Sequence, residues 1–297
     1  MKSFKSLLGP MRVPFLFLTP ACVVVGVGTA YLQTGKLSWL NVIIVLIGAL
    51  AAHISTNIFN EYFDFKSGLD AKTQRTPFSG GSGTLQAEPE MEKSVLVMGW
   101  VTAIIIAAVG IYFVILRGWQ LLPLGLVGIF LVITYTIWWT KNPVACLLAP
   151  GLGFGVLMVM GTHFALTGTY TWTAFIASLL PTFLVSNLLL LNQFPDVEAD
   201  QSTGRKHYPI AIGRKASSTL YGIFLLLAYL SVIVGVILNL LPIFSLLSLL
   251  TSILGWKIFQ SARQNYEDIE ALAPSMGMNV IVNITTPILL AIGLFIG

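Results

Sequence analysis

The sequence predicts an all-α protein, a polytopic membrane helix bundle of nine transmembrane helices with its N-terminus in the cytoplasm. Three observations lead there. Hydrophobic residues make up 56% of the 297 residues and charged residues only 9%, against about 25% charged in soluble domains; mean hydropathy is +0.86. Apolar runs close to the ~20 residues that cross a bilayer recur along the whole chain. The cations also divide by side. A soluble core has no room for this much apolar surface, so lipid must solvate it. No polar stretch is long enough for a separate soluble domain, so 1–297 reads as one domain, with the bilayer rather than nucleic acid as its macromolecular partner.

Taken in order, the runs fall at 13–33, 38–60, 94–116, 120–139, 144–167, 172–193, 217–239, 241–259 and 277–296. The first follows Lys2, Lys5 and Arg12 and is longer than the ~7–15 residues of a signal-peptide core, so it reads as a retained helix. The seventh and eighth are separated only near Asn239 and Pro242; fused, they would overshoot the membrane. With the N-terminus inside, only Lys36 and Arg117 of the 16 Lys and Arg residues lie outside, a strong positive-inside bias. This places the protein in the cytoplasmic membrane. All 12 Asp and Glu residues fall on the same inner side, which that rule does not explain. Cys22 and Cys146 lie in or beside apolar runs, without CxxC or Cys/His spacing, and read as small buried residues.

Two helix ends concentrate the acids. The second run ends in NIFNEYFDFKSGLD at 57–70 and the sixth in NQFPDVEAD at 192–200. Each holds Asn-x-x-x-Asp, Asn60/Asp64 and Asn192/Asp196, offset by the same 132 residues with four spans between. That spacing predicts an internal four-helix repeat that brings both motifs to one face. On a helix, i and i+4 share a face, so Asn60 points with Asp64, and Asn192, Asp196 and Asp200 form a stripe. Gly68 supplies a turn before Asp70, and Pro195 kinks the chain or starts a fresh turn before Asp196. Stacked carboxylates repel. Two such stripes on one cavity call for divalent cations, and hard oxygen donors suit Mg²⁺, which binds one or two carboxylates together with substrate phosphates. Lys66, Lys72 and Arg75 follow the first stripe, Arg205 and Lys206 the second, and Lys141 follows the fourth span; such cations fit a diphosphate. The Gly/Ser-rich stretch TPFSGGSG at 76–83 reads as a flexible linker, as a lid, or as a source of backbone N–H groups for phosphate.

These two motifs resemble the aspartate-rich motifs of UbiA-type intramembrane prenyltransferases, and the resemblance spans nearly the whole chain. The spacing of Asn57, Asn60, Asp64, Gly68 and Asp70, the run GLGFGVLMVMGTHFALTG at 151–168 and the segment GRKHYPIAIG at 204–213 look most like the 1,4-dihydroxy-2-naphthoate prenyltransferases of menaquinone synthesis. Glu61 departs from the usual Asp of those enzymes, His207-Tyr208-Pro209 from Thr-Leu-Ala, and Thr162-His163 from aromatic residues. The resemblance implies transfer of an isoprenyl chain from its diphosphate to an aromatic acceptor. Mg²⁺ would be held by Asp64, Asp196 and Asp200 with Asn60 and Asn192, and the diphosphate by Asn57, Arg75, Lys141, Arg205 and Lys206. Asp70 would take an acceptor hydroxyl proton, and Tyr135 would line the path of the allylic cation, with Trp138 and Trp139 either joining it or, as is commoner, sitting in the interfacial belt. The glycines at 151, 153, 155 and 161 read as packing positions, and His53 as a hydrogen-bonded structural residue. A cation-coupled transporter is the rival class, but its ionisable groups usually lie near the membrane midplane, whereas these lie at one end. Another aromatic ring, a porphyrin or a glycerol-phosphate lipid remains an alternative acceptor.

Overall fold

The computed structural model describes residues 6–73, 76 and 79–297. Among the described residues every regular element is helical, and nine segments are long and apolar enough to cross a membrane: α1 (Val13–Thr34), α2 (Trp39–Ser67), α3 (Pro89–Arg117), α4 (Trp119–Lys141), α5 (Pro143–Thr167), α6 (Trp172–Asn192), α7 (Tyr208–Ile237), α8 (Ile243–Gln264) and α9 (Ile269–Ile296). Local chemistry sets the ends. Gly35 at φ 66° and Gly68 at φ 72° close α1 and α2 in the left-handed conformation that glycine adopts without penalty. Asn142 caps α5 by accepting from the N–H groups of Val144 and Ala145 at 3.0 and 3.1 Å, and Thr171 caps α6 through Ala174 N–H. Arg117, one of the two cations expected outside, donates to the carbonyls of Ala165 and Leu166 at 3.0 and 2.7 Å. It thereby satisfies acceptors that the end of α5 would leave unpaired.

Several boundaries differ from the sequence reading. Hydropathy ends the second span at 60, yet α2 continues to Ser67, because the cavity and a neighbouring loop give its polar residues partners. α7 begins at Tyr208, nine residues earlier than expected, with a break at Gly213 (φ 82°, ψ 158°). α9 begins at Ile269, also earlier than expected. The expected continuous stripe over 192–200 is interrupted. α6 ends at Asn192, and a short helix, Val197–Ser202, starts after Asp196, because Pro195 cannot continue the hydrogen-bond ladder.

α6 is the most enclosed helix. In its most apolar 18-residue stretch 72% of residues are buried, against 22% in α3 and α4. The lipid-facing sides of α3 and α4 carry Trp100, Ile104, Ile115, Leu126 and Phe130, as a bundle solvated by hydrocarbon requires. α6 packs on α1, α5, α7 and α9, while α2 packs on α3 and α4. Against α6, α5 presents Gly151 and Gly155. A Cβ at Gly155 would lie 2.7 Å from the Ser178 carbonyl and one at Gly151 would lie 2.2 Å from that of Thr182, so the two backbones touch as small-residue membrane seams do. The Gly155 contact falls within a π-helical turn that α5 makes over Gly153–Leu157. The space among α2, α3, α4 and α5 is open.

Candidate active site

That space is a cavity of about 410 Å³ with a polar mouth and an apolar shaft. The mouth is lined by Asn57, Asn60 and Asp64 of α2, by Asp70 beyond it, by Asn192 at the end of α6, and by Asp196, Asp200, Arg205 and His207 after it. The two acidic stretches therefore face one void. The shaft passes Phe154, Leu157 and Gly161 of α5 and reaches Val45, Phe113 and Leu121. From Asp64 to Val45 the α2 axis rises ~28 Å at 1.5 Å per residue, close to the ~30 Å hydrocarbon core.

Charge at the mouth is organised around Arg205. Its guanidinium forms an ion pair with Asp64, and its Nη1 lies 3.2 Å from Asp200 Oδ1. The other Asp200 oxygen is 3.0 Å from His207 Nε2. All three partners of this chain are buried, and buried charges persist only when paired in this manner. Asn60 is held by Arg12 Nη2 at 2.9 Å and by Thr136, and Asn57 donates to the Met11 carbonyl. Asp70 accepts from Gln86 Nε2 at 3.0 Å. Burial, then the charge of Asp64, pushes its carboxyl up to about 6, a value suited to a base working near neutrality. Burial, then the charge of Asp200, pushes Asp196 up to about 7, although a hydrogen bond from Ser79 opposes this. Asn192 Oδ1 and Asp196 Oδ1 are buried with no hydrogen-bond partner.

These donors fit a divalent cation in a particular way. Hard carboxylate and amide oxygens are the ligands Mg²⁺ takes, and two of them are buried and unpartnered. Among the described residues, however, no three His, Cys, Asp or Glu side chains converge enough to hold an ion by themselves. The set suits an ion that completes its shell with phosphate oxygens.

The remaining expectations divide. Tyr135 lines the cavity, as does His53, which hydrogen-bonds Thr19 at 2.9 Å. Lys141 and Lys206 do not line it, and both are exposed. Lys206 contributes only its backbone N–H, which donates to the Thr140 carbonyl, so the neighbouring Arg205 is the inward cation. Arg75 lies outside the described residues. Trp138 is exposed at the helix end, in keeping with a place in the interfacial belt. Arg12, which carries no sequence signal beyond an inner-side charge, also reaches the mouth. Ser79, Gly80 and Gly81, within the stretch read as a linker, a lid or a source of backbone N–H groups, line the cavity beside it. That stretch is followed by a one-turn helix, Thr84–Ala87, whose Leu85 is fully buried against Ile58 and Val95.

The family model described as the UbiA prenyltransferase family matches residues 20–296. This chain belongs to the UbiA prenyltransferase family. It is a membrane-spanning prenyltransferase, and the cavity between its acidic stretches is its candidate active site. The chain is 28% identical over 204 residues to the 1,4-dihydroxy-2-naphthoate octaprenyltransferase of Bacillus subtilis (strain 168), a match that covers 67% of this chain and only 63% of that relative. It is 24% identical over 304 residues to the protein of the same name from Escherichia coli (strain K12), covering 97% and 94% of the two chains. In fold it is similar to a UbiA homolog from Archaeoglobus fulgidus bound to DMAPP and Mg²⁺, with a TM-score of 0.62, 15% identity, and 97% and 99% of the chains covered.

Proposed function

We propose that this UbiA-family member transfers an isoprenyl chain from a prenyl diphosphate to an aromatic acceptor, 1,4-dihydroxy-2-naphthoate, in a Mg²⁺-dependent reaction of menaquinone synthesis at the cytoplasmic face of the cell membrane. The observation that carries this reading is the single cavity that joins both acidic stretches to an apolar shaft. The names of the two curated relatives support the acceptor, and the fold neighbour bound to DMAPP and Mg²⁺ supports the donor and the metal. The side follows from the positive-inside bias, and the equal offset of the two motifs supports a duplicated four-helix origin within one 1–297 domain.

Asp64, Asp196 and Asp200 would hold the metal with Asn60 and Asn192, leaving part of its shell to the diphosphate. Bound there, Mg²⁺ supplies the charge that favours departure of diphosphate. Arg205, already poised between two carboxylates, would donate to the leaving oxygens as negative charge grows on them, and Asn57 would hold the α2 side of the same mouth. The C–O bond breaks with its electron pair going to the diphosphate. The allylic cation left behind lies in the shaft, which excludes water, and Tyr135 offers its ring face. The acceptor's ring carbon then attacks, made nucleophilic by loss of its hydroxyl proton to Asp70, and the ring regains aromaticity as that carbon releases the group it carried, as a proton or as carbon dioxide.

The test is to incubate purified protein in detergent with Mg²⁺, a labelled prenyl diphosphate and a panel of acceptors, and to identify products by mass spectrometry. Prenylated naphthoate is the expected product. If another acceptor is prenylated while naphthoate is ignored, the acceptor assignment fails; if no diphosphate is released with any acceptor, the whole reading fails.

A further inference from the structure

Glu61 stands between Asn60 and Asp64 in sequence but not in space. Successive helix residues turn by about 100°, so Glu61 leaves the face shared by Asn57, Asn60 and Asp64, and it does not line the cavity. It is nonetheless fully buried, and a buried carboxylate requires partners. Ser82 provides two, its backbone N–H at 2.9 Å and its hydroxyl at 2.5 Å. The third is Arg12 Nη2 at 4.0 Å, the same nitrogen that bonds Asn60 Oδ1.

Ser82 closes a stretch whose preceding residues lie on the active acids. Ser79 hydrogen-bonds the Asp196 side chain. Gly81, at φ 71°, sits so near Asp70 that a Cβ there would come within 3.0 Å of its carboxylate oxygen. On the far side, Ser82 Oγ accepts from Thr84 N–H at 3.1 Å, which starts the short helix whose Leu85 is buried. Glu61 is thus the point where α2 grips the loop, and the loop touches one acid from each acidic stretch.

We infer that Glu61 is a positioning residue rather than a metal ligand: through Ser82 it holds the Gly80–Gly81 backbone over the cavity mouth, between Asp70 and Asp196, where the diphosphate of the donor binds. The inference rests on the proposed prenyl transfer for the identity of that ligand. Glu61→Asp would shorten the arm by about one C–C bond, ~1.5 Å, and withdraw the carboxylate from Ser82.

Two readouts test it with Glu61→Gln and Ser82→Ala. The first is amide hydrogen exchange of residues 79–87 in purified protein without substrate. Charge-assisted hydrogen bonds of this kind hold a segment by about tenfold or more, so exchange there is expected to rise at least tenfold in both variants, while α6 is unchanged. The second is steady-state transfer. The KM for prenyl diphosphate is expected to rise about tenfold with a smaller change in kcat and no shift in the Mg²⁺ concentration giving half-maximal rate. Unchanged exchange in Ser82→Ala overturns the anchor, even if Glu61→Gln fails to fold. A tenfold shift in Mg²⁺ requirement in Glu61→Gln with Ser82→Ala silent overturns the positioning role in favour of ligation. If the wild-type protein transfers no prenyl group, the functional reading falls, while the exchange experiment still decides the anchor.

Discussion

The acidic stretch that closes α2 and the one that follows α6 face the same cavity, but they are prepared differently. In the first, each carboxylate already has a protein partner: Glu61 has Ser82, Asp64 has Arg205, and Asp70 has Gln86. In the second, Asp200 is held by Arg205 and His207 and Asp196 by Ser79 alone, while Asn192 Oδ1 and Asp196 Oδ1 are buried without partners. The first stretch runs on an uninterrupted helix as far as Ser67, with only Asp70 beyond the Gly68 turn, and the second lies on a broken one. Saturated donors fix geometry, and unsaturated ones are available to a ligand. We propose from this contrast that the first stretch holds shape and that the second makes the first capture of the cation.

The strongest way to break that contrast is to remove one acid from each side. Asp64→Ala and Asp196→Ala are each expected to lower prenyl transfer by at least ~10³-fold, the scale of losing a main electrostatic contact to a leaving group, with normal elution of folded protein on size exclusion. Without diphosphate, however, Mn²⁺ binding measured by electron paramagnetic resonance should vanish in Asp196→Ala and persist, weakened, in Asp64→Ala. The reverse order would refute the assignment.

Next in size is Arg205→Ala, which strands Asp64 as a buried charge and leaves Asp200 with His207 alone. It is expected to cost about 3–5 kcal/mol of stability, read as a lowered thermal midpoint, and Mg²⁺ should recover part of the loss.

The shaft is tested separately. Gly110, Gly125 and Gly128 line it, and a Cβ at any of them meets nothing within 4 Å. Gly128→Leu should therefore fold normally while projecting into the path of the chain. We expect transfer from long-chain donors to fall about tenfold relative to geranyl diphosphate, in the range that steric pockets achieve; equal use of both donors would show that the chain takes another route.

The smallest effect concerns pH. Asp196 is pushed up to about 7 by burial and then by Asp200, against about 3.9 in an unfolded chain. Between roughly pH 4 and 7 the metal-free native state keeps a proton that the unfolded chain has released. Its stability should therefore fall as pH rises through that window. A divalent cation needs the ionised form, so the thermal shift produced by Mg²⁺ should be larger at pH 8 than at pH 6, and Asp196→Asn should flatten the difference.

How much of this was legible follows from which forces act locally. The nine spans were readable because crossing lipid demands length and apolarity in one continuous run. The end of α2 was not, since Asn57, Glu61 and Asp64 look like the close of a helix until their partners are known, and Arg12 and Ser82 stand 48 and 21 residues from the residues they bond. Pro195 announced a disturbance, but not that Asp200 would still return to the cavity. Lys141 and Lys206 were chosen for adjacency, and adjacency does not fix direction: Arg205 points inward while Lys206 points to the surface. Arg12 carried no signal beyond its charge, because its contact with Asn60 depends on the N-terminal segment folding back on α2.

The π-helical turn at Gly153–Leu157 has a consequence for how this tunnel is tuned. That turn fits one surplus residue into α5, and an α-helix advances about 100° for each residue. Because the turn absorbs that residue locally, excising it would restore a regular helix and leave Gly161 and Ala165 facing the hollow they border. The wall of the lumen at that turn can therefore gain or lose one amino acid without rotating the remainder of α5, so its local width is separable from the polar groups at the mouth.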